Sequence, residues 1–214
     1  MDYEHLGVYA CRILAPGMSN IYPSDDLIYA NNNMGMDWRE ILLDLPHFHH
    51  DAETYQELLD ELDEQGIDDL TRVREFIGIV AEKGSAMQTL RIGELKSMLH
   101  LALGNLEQAL DWANWTANMN ASVFTAEHNN YYRCLIQTIE LFLDENRKPE
   151  QYRAVFEKMY GKQAVEFAWN AVNGGNPFYG LTASDEALEN MPAHQKLLEA
   201  YHKLQRAKIT PITR

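Results

Sequence analysis

The sequence predicts a mainly α fold: an array of antiparallel helix pairs stacked as a short α-solenoid, with a lone β-strand at the N-terminus. Three observations predict it. Apolar residues recur at i, i+3, i+4 and i+7 in one segment after another. Glycine, proline or a capping residue separates these segments. Pairs of them start at Asp51, Thr89, Thr125 and Gly161, 36–38 residues apart, and a fixed period of that size marks a helical repeat.

The strand comes first. Residues 8–14 read Val-Tyr-Ala-Cys-Arg-Ile-Leu, and Pro16-Gly17 ends them with a turn signal. A strand without a neighbour leaves backbone N–H and C=O groups unpaired. It therefore needs a strand of another chain, or one that has been removed. Val8, Ala10, Arg12, Leu14, Pro16 and Gly17 become candidate interface residues, and the chain reads as the tail of a larger protein.

Helices follow. Trp38, Ile41, Leu42 and Leu45 share one face, and Pro46 stops that helix. Asp51 opens the next, with Tyr55, Leu58, Leu59 and Leu62 inward and Gly66 at its end. Leu70, Val73, Ile77, Val80 and Ala81 predict a third helix, ended by Gly84. Leu95, Met98, Leu99 and Ala102 predict a fourth, and Leu106, Ala109, Leu110, Ala113 and Ala117 a fifth. Thr125 caps a long helix carrying Tyr132, Leu135, Ile136, Ile139, Phe142 and Leu143. Pro149 suits a first turn; Tyr152, Val155, Phe156 and Met159 face one way behind it, and Gly161 closes that helix. Another runs over 162–172, residues 173–180 form a loop, and 192–208 form the last helix, with Leu197, Leu198, Tyr201 and Leu204 inward.

Composition bounds the function. The 214 residues are 46% apolar, enough for a sizeable core. Acidic residues outnumber basic ones by 32 to 18, a net charge of −14 that repels a nucleic-acid backbone and gives either plain solubility or an acidic face for a basic protein partner. Apolar runs are too short to span a bilayer, and the start Met-Asp-Tyr-Glu-His has no signal-peptide character. Two widely spaced cysteines, Cys11 and Cys134, fit a reduced cytoplasmic setting.

Candidate chemistry is sparse. His47, His49, His50 and Asp51 form the one dense set of metal-ligand types, but a zinc site needs three or four converging ligands. The cluster is read as a solvated loop, with a metal-dependent enzyme as the alternative. The acidic runs at 60–64 and 68–69 lack calcium-loop spacing and read as solvated helix faces. Gly174-Gly175 is a turn, since no Lys-Ser/Thr follows it. Trp112, Trp115 and Trp169 read as core or inter-repeat contacts, with a peptide-binding groove as the alternative.

The run Leu103-Gly104-Asn105-Leu106-Glu107-Gln108-Ala109-Leu110 resembles the inter-helix turn of a tetratricopeptide repeat, whose period is about 34 residues. Gly104 reverses the chain, and Ala109 lets the two helices approach. Gly93 and His100 stand where bulky aromatics are usual in that repeat.

Cys11 to Pro23 (Cys-Arg-Ile-Leu-Ala-Pro-Gly-Met-Ser-Asn-Ile-Tyr-Pro) resembles the closing strand and turn of the YcaO catalytic domain. Asp25-Asp26-Leu27, Asn31-Asn32-Asn33-Met34-Gly35, Leu90-Arg91-Ile92-Gly93-Glu94-Leu95-Lys96, Asn130-Tyr131-Tyr132-Arg133-Cys134-Leu135, Phe178-Tyr179-Gly180-Leu181 and Lys203-Leu204-Gln205-Arg206-Ala207-Lys208 resemble its bacterial subgroup. The resemblance implies the end of a YcaO catalytic domain over 1–35 and a helical repeat domain over 36–214, with Met1 not the native start. It implies ATP and magnesium for the missing catalytic domain and no cofactor in this chain. The subgroup is linked to β-methylthiolation of a ribosomal small-subunit protein, as accessory factor to a radical methylthiotransferase. The expected role is thus non-catalytic dimerisation and docking. The partners are a second copy and a protein, either the methylthiotransferase or its ribosomal-protein substrate, with no nucleic acid or membrane. A free-standing peptide-binding repeat protein is the alternative. The end Thr-Pro-Ile-Thr-Arg lacks the proline-rich terminus of azoline-forming members, which argues against azoline synthesis.

Overall fold

Helices make up most of residues 35–184 and 188–209, the part of the chain that the computed structural model describes. Ten α-helices lie among these residues: α1 (Arg39–Asp44), α2 (Ala52–Glu64), α3 (Val73–Phe76), α4 (Ala86–Thr89), α5 (Ile92–Ala102), α6 (Leu106–Asn120), α7 (Ala126–Leu143), α8 (Arg153–Tyr160), α9 (Lys162–Val172) and α10 (Pro192–Ile209). Single 3-10 turns, Met36–Trp38 and Leu45–His47, flank α1, and a third, Pro149–Gln151, precedes α8. The strand expected over 8–14, with Val8, Ala10, Arg12, Leu14, Pro16 and Gly17, lies outside the described residues.

Capping chemistry sets the helix starts. Asp51 accepts the Thr54 N–H at 2.9 Å and the Thr54 hydroxyl at 2.8 Å, which fixes the start of α2. Thr125 accepts the His128 N–H at 3.1 Å and opens α7. The apolar faces of α2 and α5, and most of α6 and α7, are buried as their periods predict.

The helix expected over 70–81 is corrected. Only one turn forms, α3, because Gly78 turns the chain at φ 67°. The Gly78 N–H donates to Glu75 O and the Ile79 N–H to Arg74 O at 2.8 Å, so the helix ends in a Schellman closure. An antiparallel bridge between Arg72 and Arg91 then ties the segment to the start of α5. Leu70 is exposed. The first expected pair therefore consists of one long helix and one turn.

Two other faces also differ. Val155 and Met159 on α8 are 52% and 57% exposed, and Leu197 and Tyr201 on α10 are 53% and 55% exposed. Among the residues whose burial is described, Phe156 on α8 and His194 on α10 are the buried ones, so part of each apolar face is left over. Leu143 is also exposed at the end of α7.

Two apolar cores result. The first gathers Leu42, Leu58, Leu62, Val73, Phe76, Ile92, Leu95 and Leu99, and is closed by Phe178, Leu188 and Met191. The second gathers Ala109, Ala113, Tyr131, Leu135, Ile139, Phe156, Val165 and Trp169. α5 packs on α6, α6 on α7, and α7 on α9, while α2 lies against α5. Cys134 sits in the second core, where burial pushes its thiol up to about 11; it stays a neutral, small apolar residue.

His194 anchors α10. Its Nδ1 accepts the Val80 N–H at 3.1 Å, and the Arg39 guanidinium lies 3.5 Å from Nε2. Burial first, and the Arg39 charge second, hold the ring below its ordinary 6.5. An unfolded chain takes up this proton more readily than the folded one. The stability His194 contributes is therefore complete above about 6.5 and lost as pH falls from there through the folded value. Hydrogen exchange of α10, corrected for intrinsic rates, is expected to lose protection between pH 7.5 and 5.5. The loss is expected to shrink in His194→Gln; equal protection at both pH values would sink the idea.

Candidate functional site

The N-terminus of α5 carries two groups of polar contacts, one on each side of the helix. No side chain caps it. Backbone carbonyls of the preceding loop do so, with Ile92 N–H donating to Thr71 O at 2.9 Å and Gly93 N–H to Asp69 O at 3.0 Å. Glu94 and Lys96 follow, two residues apart and so on opposite sides of the helix.

Glu94 points toward α7 and is 1% exposed. One carboxyl oxygen accepts from His128 Nε2 at 2.9 Å and from the Tyr132 hydroxyl at 3.1 Å. The other oxygen is buried without a hydrogen-bond partner. Phe124 stacks on the His128 ring at 4.0 Å, and Tyr179 meets it edge-on at 5.5 Å. Burial, reinforced by the Glu94 carboxyl, pushes the Tyr132 phenol well above its ordinary value. It stays a neutral donor.

A cavity of about 400 Å³ opens beside His128, walled in part by Ser85, Gln88, Thr89, Phe124, Glu127 and Tyr179. A carboxyl behind an imidazole is the arrangement that orients a general base. A nucleophile is another matter. The Ser85 and Thr89 hydroxyls donate to backbone carbonyls, and Thr125 caps α7. The group is an oriented imidazole in an aromatic wall.

On its other side α5 presents Lys96. Its ammonium reaches Asp63 at 2.7 Å and Asp69 at 2.9 Å, and lies 4.8 Å over the Trp112 ring. Burial works against this charge, but the hydrogen bonds to the two aspartates outweigh it and hold Lys96 above its ordinary value. Trp112 and Trp115 stand edge to face at 5.8 Å, both half-buried. A Cβ on Gly93 would collide with the Trp115 ring. Trp115 thus fills the space that a side chain at position 93 would take.

The sequence candidates Gly104, Ala109, Trp112 and Trp115 all lie on the α5–α6 hairpin. Gly104 turns the chain at φ 73°. Ala109 is fully buried, and its carbonyl accepts the Ser97 hydroxyl at 3.3 Å. The sequence pattern does not mark Glu94, Lys96 and His128 as site residues. The glycine at 93 signals a close neighbour, which is Trp115 rather than any of these three.

The histidine loop is drawn together as well. His47, His49 and His50 converge on Asp44, with ring nitrogens 2.5, 3.0 and 3.2 Å from its carboxyl oxygens. Partial burial opposes the Asp44 charge. The His47 hydrogen bond and the positive potential of the three rings outweigh it and keep the carboxyl below its ordinary value.

Fold and site together define a domain that is mainly helical over the described residues and built around one buried, doubly engaged helix. A family model described as the YcaO cyclodehydratase C-terminal domain matches residues 35–210, and the chain belongs to that family. It is 77% identical over 209 residues to an uncharacterized protein of Haemophilus influenzae, covering 97% of this chain and 36% of that protein. It is 55% identical over 207 residues to the ribosomal protein S12 methylthiotransferase accessory factor YcaO of Escherichia coli, covering 97% of this chain and 35% of that protein. The chain thus spans about a third of the length of these curated relatives. No helix among the described residues is long and apolar enough to cross a membrane.

Proposed function

We propose that this chain is a non-catalytic dimerisation and docking domain of an ATP-dependent YcaO protein, an accessory factor in β-methylthiolation of a ribosomal protein. ATP and magnesium belong, in this reading, to a catalytic domain of which residues 1–35 are the end, and residues 36–214 are the helical repeat domain. The setting is cytoplasmic. The partners are a second copy and either the methylthiotransferase or its ribosomal-protein substrate. Support comes from the family match over 35–210 and from the name of the Escherichia coli relative. The α5–α6 hairpin with its Gly104 turn supports the tetratricopeptide-like part of the reading.

One observation carries the docking role. Val155 with Met159 on α8, and Leu197 with Tyr201 on α10, are exposed apolar pairs at i, i+4. Such pairs lie side by side on one helix face and form the kind of stripe a partner helix covers. Light scattering is expected to find a dimer. Val155→Glu with Met159→Glu, or Leu197→Glu with Tyr201→Glu, is expected to give monomers with an unchanged melting temperature. A monomer in the unaltered protein, or a dimer that survives both double variants, would overturn the dimer. A pull-down comparing full-length protein with one lacking residues 37–214 tests the docking half.

A further inference from the structure

We propose that Asp44, His49 and His50 bind a first-row divalent transition-metal ion of the Zn²⁺ class, with His47 holding the Asp44 carboxyl in position. Each of the three offers one ligand atom, and those atoms lie within 4.8 Å of one another. The nitrogens His49 Nε2 and His50 Nε2 sit 3.0 and 3.2 Å from the same oxygen, Asp44 Oδ2. An ion that holds tetrahedral ligands at about 2.0–2.1 Å separates neighbouring ligand atoms by about 3.3 Å. The two nitrogen–oxygen separations thus already match edges of such a tetrahedron, and the two nitrogens lie within 4.8 Å of each other.

Hydrogen bonding does not account for the arrangement. His50 Nε2 is shut off from solvent and has no hydrogen-bond partner, although Oδ2 is so near. His47 Nδ1 instead engages the other oxygen, Oδ1, at 2.5 Å. It leaves Oδ2 for the ion and fixes the carboxyl plane, as an outer partner of a metal ligand does. Two imidazoles and a carboxylate suit Zn²⁺ and its neighbours rather than Ca²⁺ or Mg²⁺, which take oxygen ligands. Three protein ligands leave a fourth position for water or a partner's side chain.

The loop is built to hold this shape. α1 ends at Asp44, and Pro46 sits in the following 3-10 turn. Phe48 then adopts the left-handed region at φ 51°, ψ 48°, a strained choice for a bulky residue, and so sends His49 and His50 back toward Asp44. Its ring is fixed on Tyr55 at 6.2 Å and Phe178 at 6.1 Å. Asn176 donates to Pro46 O at 2.7 Å and pins the other side of the turn.

The test uses the untagged 214-residue chain, titrated with ZnCl₂ by calorimetry and with Co²⁺ followed by its visible spectrum. One ion per chain is expected, with micromolar or tighter affinity and a tetrahedral Co²⁺ spectrum. His49→Ala, His50→Gln and Asp44→Asn are each expected to weaken binding at least tenfold. His47→Gln is expected to weaken it about 10–100-fold, the range for outer partners of metal ligands. His49 is exposed, so His49→Ala is expected to melt as the parent does, which separates lost binding from lost folding. Sub-stoichiometric uptake, or affinity unchanged in His49→Ala and Asp44→Asn, means an adventitious ion only and overturns the proposal.

Discussion

Replacing His128 with alanine is expected to lower the unfolding free energy by about 3–5 kcal/mol, the range for stripping a partner from a buried ionisable group. Glu94 is 1% exposed, and its second oxygen already lacks a partner. Removing His128 leaves the carboxyl with the Tyr132 hydroxyl alone and opens a gap beneath Phe124. Tyr132→Phe is expected to be milder, about 1.5–3 kcal/mol, because it deletes one hydrogen bond and keeps the ring. Replacing Glu94 and His128 together by leucines, with Tyr132→Phe, is expected to be less harmful than His128→Ala alone, since no polar group of the trio is then stranded. Urea unfolding of these variants completes the comparison. An effect of His128→Ala below about 1 kcal/mol would mean that water enters freely and relieves Glu94.

Trp169→Ala is the second large effect. The indole is buried at the junction of α7, α8 and α9, met edge-on by Phe142 at 5.9 Å and by Phe156 at 5.1 Å. Truncating a buried aromatic of this size typically costs about 3–5 kcal/mol. Both edge-to-face contacts are lost with it. Trp169→Phe is expected to be much gentler, because the indole N–H is buried without a hydrogen-bond partner and its removal strands nothing. Denaturant midpoints, compared at equal m values, give the two numbers. Equal losses in the two variants would mean that ring size, rather than the presence of an aromatic edge, sets the stability here.

Local signals were legible where one rule governs one helix. The 3.6-residue period found α2, α5, α6 and α7, and the caps at Asp51 and Thr125 act as their residue types dictate. The period failed where a backbone event cut across it. Gly78 lies inside a continuous apolar pattern, yet its positive φ limits α3 to one turn. It failed again at α8 and α10, where the period shows that a helix has an apolar face but not whether the rest of the chain covers it. The polar contacts were less visible still. Glu94 reads as an ordinary first-turn acid, and His128 stands 34 residues away. Lys96 finds Asp63 across 33 residues. Nothing in a one-dimensional pattern reports which polar groups meet when two helices cross. The convergence of His47, His49 and His50 on Asp44 rests on the left-handed backbone of Phe48, which a bulky aromatic does not advertise.

One consequence lies in how α5 is shared. It gives Ile92, Leu95, Met98 and Leu99 to the first core and Leu101 to the second. A dense interior yields little under load and passes displacement on. The helix therefore works as a common axle beneath both halves. A protein leaning on α10, over the first half, and another gripping α8, beside the second, would pull on the same rod.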